Sequence, residues 1–333
     1  MMIEIEPGEV ERAAALIKDC REVLVVGHEH PDGDAVGSML GMALMLEKAD
    51  KNVHCSWPEP VDIPGRYGFL PGWHLFVAPP DIPETDLMIA VDCSNVGRLE
   101  GLKGGFGGKT KIINIDHHPD NTLFGYVNMV NPGSSAVAEI IYLYADKLGL
   151  KVDGQAALCL YVGILTDTGR FQFSNTSEAT LSAASEMVGM GVDPNFIFQN
   201  VYQSDSLQYL RFCGHVLSNA VFEEDLGLIY SSVTQDEMKS WGVTMDEMQD
   251  LVDYLRTLKG HRVAALFKEL NSEEIRVSLR SRSEIDVGSL ARLLGGGGHR
   301  AAAAYTSRRK NLDEVLSELR QEIAEVGRNT GGR

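Results

Sequence analysis

Short apolar runs, each closed by a cluster of charged residues, organise the first half of the chain. Positions 23–26, 52–57, 86–91 and 111–115 read as strands, and helical spacing appears at 35–48, 134–148 and 155–165. The runs at 23–26 and 87–91 are apolar without alternation, which is what a parallel sheet buried on both faces requires. The expectation is an α/β domain with a doubly wound, mostly parallel sheet, whose ligands sit beyond the carboxyl ends of the strands. Positions 65–83, with several Pro and Gly, read as a surface excursion. Positions 101–108 read as a glycine-rich connection without the Lys-Ser/Thr ending of a phosphate-binding P-loop.

From 176 to about 219 the pattern is largely helical, clearest at 180–190 and 204–217, and the second stretch reads as a linking helix. Beyond Phe222 the texture changes. Positions 228–233, 263–270 and 275–281 alternate as half-buried strands, and 245–258 and 287–294 read as helices. A further strand at 301–306, an amphipathic helix at 312–326 and a frayed tail at 328–333 follow. The chain thus divides into a catalytic α/β domain at 1–195, a helical linker at 196–219 and a smaller α+β domain at 220–330.

Charge narrows the partners. Asp and Glu number 47 against 30 Lys and Arg, a formal net charge of -17. Such a chain does not bind long duplex nucleic acid broadly, because that needs many phosphate contacts. A small phosphorylated substrate remains open, since bound cations and a few arginines reverse the sign of one cleft. The five cysteines (Cys20, Cys55, Cys93, Cys159, Cys213) are scattered and form no C-x-x-C pair. The first six residues are acidic where a signal peptide is basic, and no apolar run reaches the length of a membrane span. The expectation is a reduced, cytoplasmic protein with no membrane partner.

Four segments carry candidate chemistry: His28-Glu29-His30-Pro31-Asp32-Gly33-Asp34, Val91-Asp92-Cys93-Ser94, Asp116-His117-His118-Pro119 and Thr166-Asp167-Thr168-Gly169. Taken singly, each has a plainer explanation. Asp32 or Asp34 caps a helix, Asp92 ends a strand in a turn, and Asp167 belongs to a helix-ending turn. The exception is Asp116-His117-His118, since a surface turn rarely spends three such residues after a buried strand. Together they supply the carboxylate oxygens and imidazole nitrogens that hard divalent cations take from separate elements. Such a two-metal site is chiefly a device for attacking phosphate esters.

The order H-x-x-P-D-G-D, V-D, D-H-H and T-D-T-G resembles the DHH phosphoesterase superfamily. Gly295-Gly296-Gly297-Gly298-His299 is similar to the glycine-rich signature of its associated C-terminal domain, and the combination resembles the NrnA-type branch, which degrades very short oligonucleotides and 3'-phosphoadenosine 5'-phosphate. The resemblance implies one metal held by His28, Asp32 and Asp92. It implies a second held by Asp34, Asp92, His117 and Asp167, with Asp92 bridging. Two manganese ions are the family's usual pair, with magnesium as the substitute. Asp34, Asp92 and His118 are then the catalytic set, with His118 also a substrate-phosphate contact. Arg98 is a further phosphate contact; Arg280, Ser281, Gly296, Gly297, Gly298 and His299 form a clamp on the nucleotide's far end. Ala304 stands where the family pattern usually closes with glycine. The implied substrate is a short oligonucleotide or a nucleoside bisphosphate, and the family allows a homodimer.

Three other readings compete. A pyrophosphatase or polyphosphatase shares the four clusters but not the glycine-rich histidine loop. A processive RecJ-like exonuclease has a longer chain and a larger nucleic-acid surface. A nucleotide-sensing module would have no need of all six metal positions.

Overall fold

The structure is a computed structural model that describes residues 5–59, 61, 65–102, 110–248, 250–282, 285–308 and 311–330. The chain divides into two compact units, Met1–Ser204 and Asp205–Arg333.

The first unit runs α1 (Pro7–Asp19), β1 (Glu22–Val26), α2 (Gly33–Lys48), β2 (Asn52–Ser56), β3 (Leu87–Val91), β4 (Lys111–Asp116), β5 (Val127–Val130), α3 (Val137–Tyr144), α4 (Gly154–Asp167), α5 (Glu178–Gly189) and α6 (Pro194–Tyr202). Its five strands lie in the order β2-β1-β3-β4-β5, and every neighbouring pair is parallel. The chain leaves β1 for β2 on one side and returns to β3 on the other. That reversal opens a crevice at the carboxyl ends of β1 and β3, where α/β sheets bind ligands.

Both sheet faces are buried, which explains the unbroken apolar runs. Val23, Val25, Ile89, Val91, Ile113 and Ile115 pack with α1, α2, α3 and α4. Leu24, Val26, Met88 and Ala90 face the other way, onto Ile82, Leu99 and Leu102. Among the described residues this second face is covered by loop and 3-10 segments, because the connections from β2 to β3 and from β3 to β4 carry no α-helix there. Part of the first of these is the stretch at 65–83 expected as a surface excursion. It instead buries Tyr67, Leu70 and Leu75 in the main core and packs Trp73 edge-on and Phe76 at a tilt against Trp57. Its Pro and Gly mark turns correctly, but turns do not decide exposure. Most of the expected loop at 101–108 lies outside the described residues.

Helix α2 is buried nearly all round, as a central helix must be. Along one of its faces run Gly33, Gly37 and Gly41, four residues apart. A Cβ on Gly37 would stand 2.4 Å from the Cys159 carbonyl oxygen and 2.9 Å from the Gly163 nitrogen, both backbone of α4. At Gly33 it would meet Thr166, and at Gly41 Leu160, each well inside contact distance. The three glycines let α2 lie directly on α4.

The second unit runs α7 (Leu207–Ser218), β6 (Val221–Glu223), β7 (Leu228–Val233), α8 (Gln235–Trp241), α9 (Leu251–Leu255), β8 (Val263–Asn271), β9 (Glu274–Ser281), α10 (Val287–Leu293), β10 (Gly297–Gly298), β11 (Ala302–Ser307) and α11 (Leu312–Thr330). The sheet order is β10-β11-β9-β8-β7-β6, antiparallel except for β7 with β8. Alternation along the strands sends Val263, Phe267, Val277 and Leu279 to α10 and α11, and Ala264 and Leu266 to α7 and α9.

Helix α7, expected as a linker, buries Tyr209, Phe212, Cys213 and Val216 in this unit's core. The helix expected at 245–258 is a 3-10 turn at Asp246–Met248 followed by the short α9. Helix α11 runs on to Thr330, where the sequence suggested fraying. Elements α1, β5, β6 and α8 were not anticipated. No helix among the described residues is long and apolar enough to cross a membrane.

The α2–α4 contact makes a direct prediction. Gly37→Ala must displace backbone and should cost about 1–3 kcal/mol of unfolding free energy. Gly8→Ala in α1, with nothing within 4 Å of the added carbon, should be neutral or gain up to about 1 kcal/mol. Urea unfolding of the two variants side by side checks the contrast.

Candidate metal centre

The four predicted clusters arrive at one place from different elements. His28 lies two residues past β1, Asp92 follows β3 directly, and His117 and His118 follow Asp116, the last residue of β4. Asp34 sits in the first turn of α2 with Asp32 as its N-cap, and Asp167 is the last residue of α4. Three clusters therefore come from strand ends and the fourth from a helix end. Asp34, Asp92 and His117 are 1%, 3% and 3% exposed.

The donor atoms fall into two groups. One atom each from His28, Asp32 and Asp92 lie within 4.8 Å of one another, and so do atoms from Asp34, His117 and Asp167. Asp92 stands between the groups. Its Oδ2 is 3.5 Å from His28 Nε2, and its Oδ1 is 3.7 Å from His117 Nε2. The same His117 nitrogen is 3.7 Å from Asp167 Oδ2. Asp92 adopts a left-handed backbone (φ 58°), a conformation Asp tolerates better than most residues and one that clusters at functional sites. His30 is exposed and outside both groups.

Hydrogen bonds fix each ring. His28 Nδ1 faces the Glu29 carbonyl at 2.7 Å and His117 Nδ1 the Ser134 carbonyl at 3.2 Å. A carbonyl only accepts, so each Nδ1 carries a hydrogen, and in the neutral rings each Nε2 presents a lone pair toward carboxylate oxygens. Acceptor then meets acceptor at distances too long for good hydrogen bonds, and Asp92 Oδ1 is buried without a hydrogen-bond partner. A cation between them removes the conflict. The donors are all oxygen and nitrogen. The neighbouring Cys93 thiol turns into the opposite core, where burial pushes its pKa well above the usual range. Such a set suits a hard divalent cation.

The carboxyls are held individually. Asp34 accepts from the Val137 and Ala138 backbone N–H groups at 2.6 and 3.0 Å and from Ser38 Oγ at 3.0 Å. Burial, then the nearby Asp92 and Asp167, nevertheless push its pKa well up. Burial also works against charge on Asp92, but the adjoining imidazoles of His28, His118 and His117 hold it well below the ordinary carboxylate range. Asp32 Oδ1 accepts from the Asp34 and Ala35 N–H groups, so the simpler helix-cap role is fulfilled by the same residue.

His118 is oriented by a residue that sequence reasoning left without a role. Its Nδ1 bonds Asp116 Oδ1 at 2.8 Å, and Asp116 Oδ2 accepts from Asn121 Nδ2 at 2.6 Å. Asn121 also donates to Asn114 Oδ1. Burial lowers the His118 pKa, yet the Asp116 bond and then the Asp92 charge overcome it and push it up to about 10. Asp116 itself was visible as the first letter of D-H-H; the Asn partners carried no signal.

The remaining predicted residues are placed as follows. Arg98 is half-buried in a 3-10 turn, near enough to His28 to oppose its protonation. In the second unit Arg280 lies on β9, its Nε 3.2 Å from Asp253 Oδ1 and its Nη1 donating to the Leu279 carbonyl. Ser281 is buried and its hydroxyl donates to the Arg300 carbonyl. The glycine run is structured: Gly297 and Gly298 pair with Ala304 and Ala303 as a two-residue strand. Ala304 also pairs with Ser278, so it is an ordinary strand position, and the close approach is made by Gly296, whose added Cβ would stand 2.2 Å from the Ala304 oxygen. His299 turns the chain from β10 to β11 through reciprocal backbone bonds with Ala302.

An oxygen-and-nitrogen donor set at the carboxyl edge of a parallel sheet is a candidate centre for divalent cations. Comparison with known proteins gives the family. Residues 22–164 match the DHH family N-terminal domain and residues 225–325 the DHHA1 domain. The chain is 32% identical to the bifunctional oligoribonuclease and PAP phosphatase NrnA of Thermus thermophilus over 92% of its length and 91% of the relative's. It is 31% identical to the protein of the same description in Bacillus subtilis, over 89% and 93% of the two chains. An exopolyphosphatase-related protein from Bacteroides fragilis, 23% identical, shares the fold over 99% of this chain and 100% of its own with a TM-score of 0.87. The chain belongs to the DHH family of phosphoesterases and carries the DHHA1 domain as its second part.

The raised His118 pKa fixes a stability trend in chelator. A folded pKa near 10 against an ordinary 6.5 contributes stability that is full below about pH 6.5 and lost as pH rises toward about 10. Asp116→Asn removes the main cause. Its deficit against the parent chain should therefore shrink across that window, as urea titrations at stepped pH would show.

Proposed function

We propose that this phosphoesterase uses two divalent cations, manganese by preference, to hydrolyse short oligoribonucleotides and 3'-phosphoadenosine 5'-phosphate. The observation that carries the reading is Asp92, whose two oxygens face two separate donor groups. His28, Asp32 and Asp92 would hold one cation, and Asp34, Asp92, His117 and Asp167 the other. Bound there, the cations supply Lewis acidity, lower the pKa of water and offset charge on the phosphoryl oxygens. With Nδ1 committed to Asp116, His118 meets the phosphate or the leaving oxygen through Nε2. Arg98 adds positive charge beside His28.

In the second unit, Arg280, Ser281, Gly296, Gly297, Gly298 and His299 would take the far end of the nucleotide. Arg280 already presents its fork to one carboxylate, Asp253, the geometry with which arginine also takes phosphate. Gly297 has open space where a side chain would stand. All five cysteines are free, which supports a reducing, cytoplasmic setting. Pairing of two chains is part of the same proposal.

The test is product release with manganese from 3'-phosphoadenosine 5'-phosphate, a diadenylate, a long RNA and pyrophosphate. Cleavage of the first two, lost on stripping the metal and in Asp92→Ala, is the expected result; turnover of pyrophosphate alone would sink the proposal. Arg280→Ala and His299→Ala should raise KM for diadenylate on the order of tenfold and leave a minimal phosphodiester nearly unaffected. Equal losses on both would remove these residues from the substrate site.

A further inference from the structure

Glu139 is a carboxyl residue 1% exposed in the third position of α3, and no step above uses it. Its Oε2 accepts from the Ser135 N–H at 3.3 Å, from the Ser135 hydroxyl and from Thr180 Oγ1 at 2.7 Å. No Lys or Arg side chain bonds it among the described residues. A carboxyl taken out of water without a cationic partner is costly, so its position calls for a reason beyond packing.

The reason lies in what Ser135 adjoins. The Ser134 carbonyl accepts the hydrogen on His117 Nδ1. Two and three residues beyond Ser135, the Val137 and Ala138 N–H groups hold the Asp34 carboxyl. The Ser135 carbonyl accepts from Asn175 Nδ2, which also donates to the Asp167 carbonyl. The stretch from Ser134 to Ala138 thus bonds two of the four residues assigned above to the second cation and reaches a third through Asn175, and Glu139 ties it to the start of α5.

We infer that Glu139 is a positioning residue. By anchoring Ser135 it keeps the Ser134 carbonyl on His117 Nδ1, which locks that imidazole in the tautomer whose Nε2 can bind a cation, and it keeps the α3 amides on Asp34. The inference rests on the proposal that His117 and Asp34 hold a cation. Partners bonded directly to metal ligands change metal affinity by about 10–100-fold when lost, and Glu139 stands one step further out, behind Ser135 and the Ser134 carbonyl.

The experiment uses the full metal-free chain. Manganese affinity is measured by calorimetric titration, and the imidazole tautomers by long-range nitrogen–proton correlation spectra. Glu139→Ala should weaken manganese binding by about tenfold and convert His117 from one tautomer to a mixture, with kcat for diadenylate reduced and KM little changed. His28, held by the Glu29 carbonyl, should keep its tautomer in the same sample, which a general loosening of the fold would not allow. Glu139→Gln keeps an acceptor oxygen and should restore most of the affinity. Ser135→Ala, a milder change that serves if Glu139→Ala does not fold, should cost about threefold to tenfold. A folded variant with parental affinity and a single His117 tautomer overturns the inference. A parent chain that binds no manganese would instead overturn the two-cation reading itself.

Discussion

Asp34 and Asp167 can meet only if α2 and α4 lie closer than side chains normally permit. One begins α2 and the other ends α4, so the separation of these helices sets the separation of the carboxyls. Gly33, Gly37 and Gly41 make that approach, and Gly163 answers from α4, where a Cβ would crowd both the Ala138 methyl and Asp34 Oδ1. What faces Gly37 is backbone, which cannot turn aside as a side chain can. The interior is close-packed and transmits such errors. A fraction of an ångström at the helix contact becomes a similar error between donor atoms.

Bringing these carboxyls together is electrostatically unfavourable, and the chain spreads the cost over amides, hydroxyls and imidazoles. Asp34 takes two backbone amides and a hydroxyl, Asp116 takes His118 and Asn121, and Asp92 is flanked by three imidazoles. The repulsion is not fully relieved, since Asp92 and Asp167 still drive the Asp34 pKa upward. A site arranged this way is preorganised: its geometry is held by the protein while its charge waits for a cation.

The sequence made the primary site legible and left its support hidden, for a physical reason. Carboxylates and histidines placed just past buried strands are costly to keep, so Asp92, Asp116, His117 and His118 stand out beside the apolar runs of β3 and β4. The strands themselves were legible because a buried parallel sheet leaves no polar alternation. Support comes from residue types that are common everywhere. Asn121, Ser134 and Asn175 look like loop residues until their partners are known, and the glycines of α2 were lost in a helix read for its Leu, Met and Ala. The capping box of Thr234 and Glu237 that opens α8 was readable but unread. The strand that carries Arg280 and Ser281 was legible, but nothing local announces Asp253 or the Arg300 carbonyl as their partners.

The way α4 stops also sets the field at the site. Its last residue is Asp167, and Gly169, Arg170 and Phe171 then follow with left-handed backbones that turn the chain away at once. The helix therefore brings its carbonyl end, the negative pole of its macrodipole, to the donor cluster. Helices α2 and α3 arrive in the opposite sense, with their amide ends toward Asp32 and Asp34. One pole favours cations and the other favours anions. The backbone alone therefore gives the donor cluster a polarity before any side chain is counted: the carbonyl end of α4 favours cations, and the amide ends of α2 and α3 hold the carboxyls of Asp32 and Asp34 in place.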